Sequence, residues 1–150
     1  MAALGAGFPV ELRRRYPHLM PEDKVLWERW IVRGDDLPAR VWYDVRVGHA
    51  VEVESGQPEW MKHFAEYATR KRIDIVGAYG NDYVVFEAKP FAGMVALGQL
   101  VFYRWAFARE YGGGRRVFGG VITDVVDPDV APIFAGLGIW VVEVGLGGQL

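Results

Sequence analysis

Asp74, Glu87 and Lys89 are out of place in the stretch RIDIVGAYGNDYVVFEAKP (72–90), which otherwise reads as two apolar β-strands joined around a Gly-Asn-Asp turn. Unpaired charges inside a sheet cost several kcal/mol. Glu87 and Lys89 are two residues apart, so their side chains leave one face of the strand, while Phe86 and Ala88 leave the other. With the turn centred near Gly80 and Asn81, Asp74 falls within cross-strand reach of them. Two carboxylates this close raise one another's pKa unless something positive lies between them. A hard divalent cation, Mg²⁺ or Mn²⁺, meets that need with one or two carboxylates and keeps waters for a substrate. Such a cation polarises a phosphodiester and lowers the pKa of a water, and a neighbouring lysine orients that water or stabilises the developing charge. The plain alternative is an edge strand whose Glu and Lys face solvent.

Ten residues after Lys89, GQLVFYRWAF sets Gln99 and Tyr103 four apart, on one face of a predicted helix. An amide and a phenol there can hydrogen-bond a phosphate or a metal-bound water. Taken together, RID, VVFEAK and GQLVFY resemble the PD-(D/E)XK nuclease superfamily, closest to its RecB/Cas4-like branch, over roughly residues 58–111. The resemblance implies that Asp74 and Glu87 ligate the metal, with the Ala88 carbonyl a third ligand. It makes Lys89 the catalytic lysine, Gln99 and Tyr103 the substrate-binding helix motif, and DNA the partner. It also implies an upstream acidic or His ligand on a helix, for which His63 and Glu28 are the candidates. No helicase motif or cysteine cluster is present, which excludes the larger RecB and iron–sulfur architectures. A second resemblance, to small phage-encoded proteins, rests on VWYDVRVG, the hairpin and GQL. It implies a virion head–tail connector or neck protein with a nuclease-like fold, whose partners would be other phage structural proteins or further copies of itself.

These residues need elements to position them. PEDKVLWERWIVR (21–33) opens with Pro and acidic residues, as helices do, and spaces Val25, Leu26, Trp30 and Ile31 helically. ARVWYDVRVGHAVEVE (39–54) alternates and reads as one or two strands, with Asp44, Glu52 and Glu54 outward and solvated. PEWMKHFAEYATRK (58–71) is a second helix, 92–114 a long helix stopped by Gly112–Gly114, RRVFGGVITDVV a strand, DPDVAPIFAGLG a short helix and IWVVEVG a last strand. From residue 58 the order is α-β-β-α-β-α-β. The hairpin is antiparallel and the helical crossovers imply parallel pairs, so the fold is α/β, a mixed sheet flanked by helices. In the terms of the resemblance this is a restriction-endonuclease-like α-β-β-α-β core at about 58–145, with an N-terminal helix and strand added, in one domain spanning 1–150.

Composition fits that architecture. The chain is 51% hydrophobic and 24% charged with a net charge of −2, which excludes disorder and a polycationic nucleic-acid coat. No charge-free apolar run reaches the ~20 residues of a membrane helix, and the basic cluster after the first apolar residues is the reverse of a secretory signal. With no cysteine there is no disulfide framework, so an intracellular place is expected, in the cytoplasm or in a virion. Arg13–Arg15, Arg70–Arg72 and Arg115–Arg116 form local basic clusters that either follow a phosphate backbone or are solvated turns. Trp27, Trp30, Trp105 and Trp140 fall on core spacing and read as packing residues. Gly112–Gly114 lacks the Lys-Ser/Thr of a phosphate-binding loop, and nothing suggests a Ser-His-Asp triad. Both chain ends are expected to be ordered, against a partner.

Overall fold

The computed structural model describes residues 2–145; Met1 and 146–150, on which the expectation of ordered ends partly falls, lie outside the described residues. Helix α1 (Pro21–Arg33) has proline at its start, Glu22 and Asp23 in its first turn, and a left-handed Gly34 at its end. Strand β1 (Arg40–Val47) follows, then α2 (Glu59–Thr69), β2 (Lys71–Tyr79), β3 (Asp82–Ala88) and the short β4 (Phe91–Ala92). Helix α3 (Met94–Glu110), β5 (Val117–Thr123), the short β6 (Val125–Val126), α4 (Ala131–Gly136) and β7 (Trp140–Glu143) complete the chain.

Five strands form one mixed sheet in the order β1-β2-β3-β5-β7. The pairs β1–β2 and β2–β3 are antiparallel, and β3–β5 and β5–β7 are parallel. The expected α/β fold with a mixed sheet flanked by helices is therefore what forms. One face carries α1, whose Leu26, Trp27 and Trp30 pack with Val41, Tyr43, Ile75, Phe86 and Ile122. The other carries α3 and α4, through Leu100, Phe107 and Phe134 against Val76, Val85 and Val121. Among the described residues, no helix is long and apolar enough to cross a membrane.

Several elements differ from expectation. β1 ends at Val47, because Gly48 turns the chain at φ 82° and residues 49–54 are not a strand; Glu52 and Glu54 are exposed, but on a loop. α1, expected as an addition, is a packing layer of the core, whereas α2 buries no residue at all. In α1, Trp27 and Trp30 are buried as expected of packing residues, while Val25, expected on the same face as Leu26, is exposed. Trp105 is 55% exposed, since it lies two residues from the buried Tyr103 and so on the opposite side of α3. Trp140 is half-buried, edge-on to Trp30 and near Phe86.

Both antiparallel strands break their alternation at one point. In β1, Val41 and Tyr43 face α1, yet Val45 and Val47 face α3. In β2, Ile75 faces α1, yet Ile73 faces α3. The residues between are Asp44 and Asp74, which the register sets opposite each other, between Tyr43↔Ile75 and Val45↔Ile73. Asp44 has φ 54°, a left-handed conformation that Asp and Asn tolerate better than most residues. Here the sheet twists sharply and frees two carboxylates from the regular pleat.

Candidate active site

Glu87 is the buried carboxylate of β3, 6% exposed, after the apolar run Val84–Phe86. Lys89 lies one residue beyond the strand, and its backbone N–H donates to the Ile122 carbonyl at 2.9 Å, so β5 holds the strand end in place. The Lys89 Nζ is 3.9 Å from Glu87 Oε1, an ion pair too long for a hydrogen bond. Across the hairpin, Asp74 Oδ2 accepts the Ala88 backbone N–H at 3.1 Å. That bond places the Asp74 carboxylate against the Glu87–Lys89 end, where its charge acts on Glu87. Asp74, Glu87 and Lys89 thus meet at the carboxyl end of β3.

Burial is the largest influence on both acids and raises their pKa values, Glu87 the more. The neighbouring Asp74 carboxylate then adds to the rise at Glu87, and Lys89 opposes it. At Asp74 the Ala88 N–H works the other way, favouring the charged form. Glu87 Oε2 is buried with no hydrogen-bond partner, and so is Gln99 Oε1. Buried acceptors without donors are rare in folded proteins and mark a place made for something else.

Helix α3 brings the second pair. Tyr103 is 7% exposed, and its phenol is pushed up to about 12 by burial and then by the Glu87 and Asp74 charges. It therefore remains a proton donor at neutral pH. Leu100, between them in sequence, is fully buried and fixes the helix on the sheet, while Val101 is half exposed and does not.

Neither upstream candidate joins the group. His63 lies on α2, which stands clear of the core; its side chain is 77% exposed and 4.0 Å from Glu59. Glu28 accepts a hydrogen bond from the Tyr16 hydroxyl at 3.0 Å. The acid that α1 does deliver is Asp23, five residues earlier and so about 140° around the helix. Its charge acts on Asp74 and Glu87 and is itself favoured by Lys89, although burial raises its pKa overall. In the sequence Asp23 is indistinguishable from an ordinary first-turn acid that complements the helix dipole.

Asp44 also differs from its solvated reading. Its side chain is 8% exposed and is paired with His18 at 3.2 Å, Arg46 at 3.2 Å and Arg72 at 3.8 Å. Two guanidiniums and an imidazole surround it, and its charge still reaches Asp74. Ala88 supplies the backbone N–H just described, and its side chain packs on the α1 face.

Among the described residues, no three His, Cys, Asp or Glu side chains close on a single point as a ready-made metal cage. The donor set nevertheless suits a hard cation of low protein coordination: two adjoining carboxylates, Glu87 buried and Asp74 part-buried, the first with an oxygen that has no hydrogen-bond partner among the described residues.

No family model and no curated protein sequence matches the chain. Among solved structures it is similar to a repair endonuclease from Pyrococcus abyssi, at 15% identity and TM-score 0.49, over 89% of this chain and 50% of that one. A structure of EndoMS with double-stranded DNA is similar at 14% identity and TM-score 0.48, over 89% of this chain and 49% of the other. A protein from Vibrio cholerae follows at 12% identity and TM-score 0.47, over 81% and 29%. The chain spans about half the length of the first two. At that distance the likeness assigns no residue a role.

Proposed function

We propose that the protein is a metal-dependent deoxyribonuclease of the PD-(D/E)XK type, in its RecB/Cas4-like branch, acting on DNA inside a cell. The observation that carries this reading is the Asp74 carboxylate held to the end of β3 by the Ala88 N–H at 3.1 Å, beside the buried Glu87 with the Lys89 ammonium 3.9 Å from it. A fold does not maintain two desolvated carboxylates side by side for stability.

Asp74, Glu87 and the Ala88 carbonyl would hold Mg²⁺ or Mn²⁺, with waters completing its shell. Bound there, the cation supplies Lewis acidity toward a phosphoryl oxygen and lowers the pKa of a water. The chain's own groups do the rest. Lys89 orients the attacking water and offsets the negative charge that grows on the phosphorus oxygens. The Gln99 amide and the Tyr103 hydroxyl donate hydrogen bonds to the phosphate and fix the scissile strand in line.

Incubation of the purified protein with linear duplex and single-stranded DNA in Mg²⁺ or Mn²⁺ tests the proposal. Degradation that EDTA stops, and that Lys89→Ala lowers by about 10³-fold or more, is the expected result. Wild-type protein that cuts no form of DNA, while Asp74→Ala folds but fails to enter a larger assembly, would favour the virion connector instead.

A further inference from the structure

The segment preceding α1 forms a basic groove that the hairpin chemistry does not use. Arg13, Arg14, Arg15, His18 and Lys24 line a cavity of about 680 Å³ between this segment and the first turn of α1. Lys24 Nζ donates to the Arg14 carbonyl at 3.2 Å and ties the segment to the helix. Among the described residues, none of Arg13, Arg14, Arg15 or Lys24 is paired with a carboxylate. Four cations left together in a concave surface repel one another, and a polyanion relieves that repulsion.

The groove borders the strand pair that carries Asp74 and reaches a second surface. His18 lies 3.2 Å from Asp44, which the register of β1 and β2 sets opposite Asp74. His18 also touches Arg72 Nη1 at 2.6 Å, and the Arg72 guanidinium lies 5.7 Å from the Tyr67 ring on α2. Arg46 covers the same ring at 3.9 Å. Beyond Tyr67, Phe64 and Trp60 continue along one face of α2, spaced three and four residues apart. They are 54%, 63% and 65% exposed, on a helix that buries nothing. Cations that lead onto a row of half-exposed or more exposed aromatic rings suit a strand whose phosphates and bases are both free. A duplex hides its bases and has no use for the rings.

The geometry points to a track for one single strand of nucleic acid: its phosphates lie in the Arg14–Arg15–Lys24 groove, its bases stack on Tyr67, Phe64 and Trp60, and it runs past Asp74 and Glu87. The direction of travel rests on the nuclease reading; the track itself does not.

Fluorescence anisotropy in EDTA, with labelled oligo(dT) and a blunt hairpin duplex of equal charge, separates the two. Wild type should bind oligo(dT) at least tenfold more tightly than the duplex. Arg14→Glu/Arg15→Glu should weaken oligo(dT) binding by tenfold or more and flatten its salt dependence by about 1.4 logarithmic units per decade, the share of two phosphates. Trp60→Ala/Phe64→Ala should weaken oligo(dT) and leave the duplex unchanged. Arg115→Glu/Arg116→Glu, an equal charge change at the opposite end of β3, should stay within about twofold of wild type. All of these residues are at the surface, so unchanged melting temperatures are expected. The track is overturned if the Arg14/Arg15 variant binds oligo(dT) like wild type, if the duplex binds equally well, or if polyglutamate competes as effectively as oligo(dT). Loss of cleavage with binding intact would remove the nuclease reading alone.

Discussion

In protein stripped of metal, folded Asp74 and Glu87 hold protons more tightly than the unfolded chain does, because burial raises both pKa values. For acids with raised pKa the stability is fullest below about pH 4, the ordinary carboxylate range, and is lost as pH rises through the raised range. Chemical denaturation in EDTA should therefore show wild type less stable at pH 8 than at pH 5.5. Glu87→Gln keeps the shape and removes one charge, so it should be more stable than wild type at pH 8 by about 1 to 3 kcal/mol and lose most of the pH slope. Equal slopes in the two proteins would mean that the carboxylates are not buried together. At this scale the sequence was readable where spacing alone decides, as for Glu87, Lys89, Gln99 and Tyr103. It misled where a residue type has a cheaper common use: Asp23 looked like a helix-start acid, and Asp44 like a solvated strand residue.

The elements that aim these side chains are held by close backbone and ring contacts. Gly120 of β5 lies beside Phe86, one residue before Glu87, and a Cβ on it would come within 2.6 Å of that ring. Phe86 is fully buried, with Trp30 at 5.3 Å and Trp140 at 5.8 Å between ring centres, so it has little room to retreat. Gly120→Ala should cost about 1 to 3 kcal/mol by overpacking, read as a lower denaturation midpoint with an unchanged m-value. A cost under about 0.5 kcal/mol would show that Phe86 moves freely. Helix α1 was legible to the residue, because proline at its start and glycine after its end are local signals. The face change at Asp44 and Asp74 was not, since the alternation of β1 continues through it in sequence and only the pairing with β2 reveals the twist. The start of α2 was also plain, but a start signal says nothing about what covers a face, and among the described residues α2 buries none of its own.

For the whole molecule, the net charge of −2 conceals a strong polarity: unpaired arginines before α1 stand beside acids gathered at the carboxyl end of β3. The proposed function places a cation beside that basic groove, and the cation is its central element. Calorimetric titration of Mn²⁺ into wild type, Asp74→Ala and Lys89→Ala tests it most directly. Wild type and Lys89→Ala should each bind Mn²⁺, with affinities within about threefold, because the lysine is no ligand. Asp74→Ala should bind at least about tenfold more weakly. Mn²⁺ binding by Asp74→Ala as tight as by wild type would contradict the account.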